Sequence, residues 1–283
     1  MGFHIATESD IKQGKTTDIY FVRTKEILDK KGIRKKVTAE FIAKTLPAGW
    51  KWAIFSGLEE CLELFRDKPV DIYAMQEGTV FYPWEPVMFI EGIYNDFAIF
   101  ETPALGFICH ASGVATRAAR CKKAAGDKIV LNFGARRIHP AISPMVARNA
   151  YIGGCDGVAS IKGAELLEIE PLGTMPHALI LVMGDTISAA KGFDEVIPKD
   201  VPRIVLIDTL EDEKMEAVKV AEVLGEKLNG VRLDTPANRR GNFLQILREV
   251  RWELDIRGFK PVSYTHLRAH ETRHDLVCRL LLE

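Results

Sequence analysis

From Ser112 onward the chain repeats one form: a short apolar run ends in polar residues and an amphipathic helix follows. The runs are KIVLNFG (128–134), GVAS (157–160), LEIEPLG (167–173), RIVLID (203–208) and GVRLD (230–234), and Phe259 to Val262 opens a sixth. Helices are expected over Pro140 to Tyr151, GAELL (163–167), HALILVMGDTISAAK (177–191), DEKMEAVKVAEVLGEKL (212–228) and GNFLQILREVRWELDIRG (241–258). Strands that alternate with helices pair in parallel, because each crossover helix carries the chain back to the same end of the sheet. Polar residues then gather at the carboxyl ends of the strands, where an α/β barrel builds its active site. Six strands fall short of the eight that close such a barrel, so the sequence predicts an incomplete one.

The first hundred residues read as a smaller α/β domain. WKWAIFS (50–56), VDIYAM (70–75) and PVMFIEG (86–92) have the composition of strands, and GLEECLELFRD (57–67) that of an amphipathic helix. A helical stretch starts near Ile93 and resumes after Pro103. The domain boundary is expected near residue 110, with Ser112 capping the first helix of the second domain. Lys and Arg number 38 against 39 Asp and Glu, so no overall field draws the chain to nucleic acid or to a membrane surface. An anion site must therefore be a local arginine cluster. Five cysteines, at 61, 109, 121, 155 and 278, show neither CxxC nor zinc spacing, which suits reduced thiols in a cytoplasm. The start MGFHIATESD lacks a basic-then-apolar leader, and no uninterrupted apolar run reaches roughly 18 residues, so neither export nor membrane spanning is expected.

After Lys260 the text PVSYTHLRAHETRHDLVCRLLLE continues neither the strand-helix rhythm nor the apolar spacing, and it resembles translated sequencing-adapter read-through. Residues 261–283 are therefore read as a non-native tail. His266, His270 and His274 would share a helix face and imitate a metal site, a reading that is set aside with the tail.

Several strand ends carry chemistry. FGARR puts Phe133, Arg136 and Arg137 after an apolar run: the ring suits stacking on a flat heterocycle, and the guanidinium groups suit carboxylate or phosphate. Arg232 and Asp234 stand two apart in VRLDT, so on a strand both point the same way, and Asp208 ends the preceding strand similarly. A cation and a carboxylate on one face fit a phosphosugar better than an apolar substrate. GTMPHAL (173–179) places His177 in a glycine-turned loop before a helix, where it suits a general acid, a phosphate ligand or a phosphoryl acceptor. Each has a blander alternative: a core Phe133, surface arginines, a strand-end ion pair, a structural His177. Arg239 and Arg240 are weaker candidates, and Lys162 past GVAS raises the alternative of a Schiff-base aldolase, against a plain surface lysine.

Taken in order, TDIYFVRT (17–24), SGVATRAAR (112–120), FGARR, GTMPHAL, LIDT (206–209) and VRLDTPANRRG (231–241) resemble the nicotinate phosphoribosyltransferases over roughly residues 10–260. SGVAT is shared with quinolinate phosphoribosyltransferases. The resemblance implies an α/β fold, with an N-terminal α/β sandwich domain at 1–110 and an incomplete parallel, TIM-like α/β barrel at 111–260. It also implies a homodimer whose sites borrow residues from both chains. Tyr20, reaching across the dimer, and Phe133 would sandwich the pyridine, Arg136 and Arg232 would meet carboxylate and phosphate, and Asp234 and Asp208 would lie near ribose and Mg²⁺. His177 would accept phosphate from ATP. Asp156 matches a position that contacts the amide in nicotinamide-using relatives, which leaves the pyridine open between nicotinate and nicotinamide. The implied reaction joins nicotinate to phosphoribosyl pyrophosphate in NAD biosynthesis, with Mg²⁺ as cofactor, ATP as co-substrate and a cytoplasmic location. No metal ligation by protein groups alone is expected, Mg²⁺ being held through pyrophosphate and by Asp208. The family's later phosphate-binding loops are expected beyond Lys260, so this chain is expected to be inactive. Nicotinamide or quinolinate transfer, and a non-catalytic fragment that binds a partner through its barrel edge, are the alternatives.

Overall fold

The computed structural model describes residues 2–235 and 241–260 and the main chain of 262–265. The chain divides into two compact units, one up to Leu172 and one from Gly173 onward.

The first unit opens with two helices, α1 (Glu8–Lys12) and α2 (Ile19–Lys30), and then builds strands β1 (Lys36–Ile42), β2 (Ala53–Ile54), β3 (Val70–Ala74), β4 (Val80–Phe81) and β5 (Pro86–Ile93), with α3 (Leu58–Phe65) between β2 and β3. β5 lies between β1 and β3, antiparallel to both. Phe41, Met88 and Ile90 turn into a core shared with Phe55, Leu64 and Phe65, while Lys36, Thr38 and Glu40 of β1 face outward. That period-two alternation marks a sheet with one solvated face. A short helix, α4 (Tyr94–Phe97), leads into α5 (Glu101–Ala125).

The stretch Tyr94–Ala125 is long and apolar enough to cross a membrane by length and composition, with mean hydropathy 1.3, but half of that window is buried inside the protein. It is the core helix of this unit. α5 runs unbroken past residue 110, so Ser112 is interior to the helix and does not cap it. Its hydroxyl instead accepts the Ser56 N–H at 3.0 Å and donates to the Ser56 carbonyl at 3.1 Å, and Thr116 Oγ1 accepts the Ile54 N–H at 2.8 Å. Four helical residues rise about 6 Å. Two strand residues span about 6.7 Å. Hydroxyls at positions i and i+4 of a helix thus match the alternate N–H groups of Ile54, in β2, and Ser56, just beyond it, while β2 pairs with β4. Glu77 fixes the nearby turn: its Oε1 accepts N–H bonds from Gly57 (2.6 Å) and Leu58 (3.0 Å), and its Oε2 pairs with Arg148 at 2.6 Å.

Beyond α5 come β6 (Leu131–Asn132), α6 (Ser143–Ile152), β7 (Gly157–Val158) and α7 (Ile161–Leu167), with β6 and β7 parallel. Gly153 lets α6 end tight against α5, since a Cβ there would stand 2.2 Å from the Ala115 carbonyl oxygen. LEIEPLG forms no strand. Glu168 takes a left-handed φ of 55° that ends α7, and Pro171 brings no N–H to a ladder.

The second unit contains α8 (His177–Met183), α9 (Thr186–Val196), β8 (Arg203–Leu206), α10 (Glu213–Leu224), β9 (Leu228–Leu233), α11 (Phe243–Ile256) and β10 (Val262–Thr265). β9 lies between β8 and β10, parallel to both. All four residues of β8 are buried, as expected of a parallel strand covered on both faces. Val205, Leu206, Val231 and Leu233 pack with Val220, Leu224, Val250 and Leu254 of the covering helices. The helix expected over 177–191 is two helices. Gly184, at φ 94°, ends the first, and the Asp185 carboxylate caps the second by accepting the Ser188 N–H at 2.7 Å. Strand-helix order continues through β10 into the segment set apart at residue 261. The remainder of 261–283, with His266, His270 and His274, lies outside the described residues.

Candidate functional site

In the second unit the predicted residues meet at strand ends. β8 runs out at Leu206, Ile207 still donates its N–H to the Arg232 carbonyl at 3.1 Å, and the next residue is Asp208. On β9, Arg232 occupies the penultimate position and Asp234 follows the last, so the two side chains share a face as their spacing requires. They bond to each other, Arg232 Nη2 to Asp234 Oδ2 at 3.0 Å, and Arg232 Nη1 donates to Thr174 Oγ1 at 2.8 Å.

His177 is the first residue of α8. Its Nε2 lies 3.3 Å from Asp208 Oδ2, the histidine side chain being 38% exposed and the aspartate 1%. Burial pushes the Asp208 carboxyl above its ordinary range and the Asp234 charge adds to this, while His177 opposes it. Asp208 Oδ1 is buried with no hydrogen-bond partner among the described residues. No three His, Cys, Asp or Glu side chains among those residues converge to hold a metal by themselves. An orphaned carboxylate oxygen beside a second carboxylate nevertheless fits Mg²⁺, which commonly takes one or two protein carboxylates and completes its shell with phosphate oxygens and water. The arrangement thus brings a part-exposed imidazole, a guanidinium and two carboxylates around one pair of strand ends.

The first unit holds the other candidates. Phe133 follows β6 directly and opens a single 3-10 turn over Gly134–Arg137, which leaves Arg136 and Arg137 exposed at the carboxyl end of the strand. Asp156 lies at the other end of the β6–β7 pair. Its N–H donates to the Val130 carbonyl at 2.8 Å, its Oδ2 accepts the Val130 N–H at 2.7 Å, and Lys122 Nζ pairs with it at 2.8 Å. Lys122, together with the Val130 N–H, holds this carboxyl below its ordinary range against the opposing effect of burial. Asp156 and Phe133 therefore do not share a strand end. Tyr20 stands exposed on α2, its hydroxyl 3.3 Å from Asp18 Oδ2. Lys162 is exposed and pairs with Glu165 at 2.7 Å, an environment that does not desolvate an amine for Schiff-base chemistry. Arg239 and Arg240 lie outside the described residues.

Two residues escaped the sequence reading. Thr174, inside the GTMPHAL run, is the second partner of Arg232. Its signal was the position alone, a hydroxyl two residues before a proline-fixed histidine turn. Ser160, at the carboxyl end of β7, has a buried hydroxyl oxygen with no partner among the described residues.

The family profile for the N-terminal domain of quinolinate phosphoribosyl transferase matches residues 18–112, and that for its C-terminal domain matches 114–258. Among curated proteins, a Bacillus subtilis nicotinate phosphoribosyltransferase is 29% identical over 90% of this chain and 58% of its own length. Nicotinate phosphoribosyltransferase 1 of Arabidopsis thaliana is 32% identical over 54% of this chain and 32% of its own length. The chain thus spans about half or less of these curated relatives. Among solved structures, a nicotinate-nucleotide pyrophosphorylase from Pyrococcus furiosus is 52% identical, with a TM-score of 0.92 over 99% of this chain and 72% of the other. Human nicotinic acid phosphoribosyltransferase, at 20% identity, shares the fold with a TM-score of 0.74 over 95% of this chain and 70% of its own.

Proposed function

The chain belongs to the quinolinate phosphoribosyl transferase family, and from that premise we propose that it transfers phosphoribose to nicotinate, giving nicotinate mononucleotide and pyrophosphate in NAD biosynthesis. The observation that carries this reading is the paired strand-end cluster, Arg232 with Asp234 and His177 with Asp208. Quinolinate carries two carboxylates and calls for a denser set of cations than the one guanidinium, Arg136, assigned to the pyridine, while the strand-end cluster of one arginine and two aspartates suits a phosphosugar.

In the proposed reaction the pyridine nitrogen attacks C1 of the ribose, the C1–oxygen bond breaks, and its electron pair leaves with pyrophosphate. The transition state resembles an oxocarbenium ion. Asp234, held by Arg232, is the carboxylate that stabilises that positive charge in this reading. Asp208 would help to hold Mg²⁺, and that ion would supply charge neutralisation of the leaving group. Tyr20 of a second copy and Phe133 face the ring, and Arg136 meets its carboxylate. The imidazole of His177 accepts the γ-phosphoryl group of ATP, a nitrogen–phosphorus bond forming as the bond to the bridging oxygen breaks and ADP leaves, and Asp208 orients the ring through Nε2. The setting is cytoplasmic.

The experiment compares nicotinate, nicotinamide and quinolinate on the purified chain, by calorimetric binding and by turnover with phosphoribosyl pyrophosphate and Mg²⁺. Nicotinate should bind most tightly. A preference for quinolinate would replace the reading with its nearest rival, and absence of binding by any of the three would leave the non-catalytic alternative.

A further inference from the structure

Asp18 occupies the amino cap of α2 yet makes no capping bond to that helix. An aspartate at such a position ordinarily accepts a main-chain N–H two or three residues on. Here the carboxylate is turned elsewhere. Thr102 Oγ1, in the first turn of α5, donates to Asp18 Oδ2 at 3.0 Å, and the Tyr20 hydroxyl donates to the same oxygen at 3.3 Å. Thr102 Oγ1 also receives the Asp18 N–H at 3.4 Å and lies 3.3 Å from Thr17 Oγ1, so α5 grips the whole entry to α2.

The tyrosine ring is held at its other end as well. It tilts on Phe21 with centroids 4.4 Å apart, and Phe21 is buried. Tyr20 itself remains 56% exposed. An exposed tyrosine with a free hydroxyl samples several rotamers, and a ligand that stacks on it must first freeze one. This one is fixed at both hydroxyl and ring before any ligand arrives.

We propose that Thr102 and Asp18 are positioning residues that set the Tyr20 ring in the orientation that receives the pyridine. The inference rests on the assignment of Tyr20 made above, and it explains why a helix-capping residue leaves its own helix uncapped. Thr102 acts through Asp18, and Asp18 through the phenol, so neither needs to touch the ligand.

Two readouts separate this proposal from its premise. Partial burial raises the Tyr20 hydroxyl above its ordinary pKa, and the Asp18 carboxylate, then Glu101, add to that. With ¹³C-labelled tyrosine, the Tyr20 resonance should titrate at lower pH in Thr102→Val, where Asp18 is released to cap α2, and in Asp18→Asn, where the charge is gone. Thr102→Ser should titrate as the parent. Nicotinate affinity should fall about threefold to tenfold in Thr102→Val, the effect of having to order one side chain on binding, and return in Thr102→Ser. Should Thr102→Val fail to fold, as judged by circular dichroism, Asp18→Asn carries both measurements. An unmoved Tyr20 titration overturns the proposal. If the titration moves and Tyr20→Ala weakens nicotinate, but Thr102→Val leaves affinity intact, the positioning role is overturned while the assignment of Tyr20 stands. If Tyr20→Ala leaves nicotinate binding untouched, the assignment itself falls and takes the positioning role with it.

Discussion

Replacing Arg203 with methionine tests whether the start of β8 is held by one buried guanidinium. The side chain is 5% exposed and all its donors are used: Nε to Asp194 Oδ1 at 3.0 Å, Nη1 to the carbonyls of Pro198 and Val201 at 2.6 and 2.5 Å, and Nη2 to those of Asp194 and Ile197 at 3.2 and 2.7 Å. It closes the turn between α9 and β8. The charge-assisted bond to Asp194 contributes about 1.5–3 kcal/mol. Four carbonyls that lose their donor cost roughly 0.5 kcal/mol each where water reaches them in part. Asp194 keeps Lys227 at 2.7 Å, which prevents a fully orphaned charge. The sum is about 4 kcal/mol, within the 3–5 kcal/mol or so found when a buried ion pair is broken. Arg203→Lys should recover about half, because an ammonium reaches the carboxylate but not the fork of carbonyls. Urea denaturation at constant slope measures both. A loss below about 1 kcal/mol for the methionine variant, or a lysine variant as stable as the parent, would refute the reasoning.

Three further outcomes are expected. The Glu77 carboxyl is held below its ordinary range because Arg148 and the N–H groups of Gly57 and Leu58 outweigh the effect of burial. The stabilisation it gives is thus fully present above the unfolded value of about 4.3. It is lost as pH falls through the folded value. Glu77→Gln should therefore be less stable than the parent by about 3 kcal/mol at pH 7. The gap should close on acidification, and parallel pH profiles would count against it. Thr116→Val leaves the buried Ile54 N–H without its acceptor and should cost about 1–3 kcal/mol, whereas Thr116→Ser should cost less; equal thermal shifts for the two would show that the hydroxyl is idle. In an active assay, Asp234→Asn should lower kcat by at least about tenfold with little change in nicotinate KM if the carboxylate serves the sugar cation, and a change confined to KM would reassign it.

The second unit was legible where local rules suffice. Period-two geometry put Arg232 and Asp234 together, and the apolar runs 203–208 and 230–234 fixed where their polar ends fall. The first unit depended on long-range pairing that one sequence does not display. The run GVAS puts Asp156 before the amino end of β7, but only the parallel register of Leu131 with Gly157 shows that this is the other end of the pair from Phe133. Ser112 looked like a cap because serine so often is one, but its hydroxyl answers a strand 56 positions away. LEIEPLG had the apolar content of a strand and failed on the chemistry of Pro171 and the backbone turn at Glu168.

The helix hydroxyls that occupy one side of β2 have a consequence for the molecule among its neighbours. A short strand with an open row of N–H groups invites pairing with a foreign strand, the first step toward aggregation. With Ser112 and Thr116 already bonded to Ser56 and Ile54, that side of the strand is closed to intruders while the chain stays folded. Two small side chains on one helix thereby close a main-chain edge as well as join two elements.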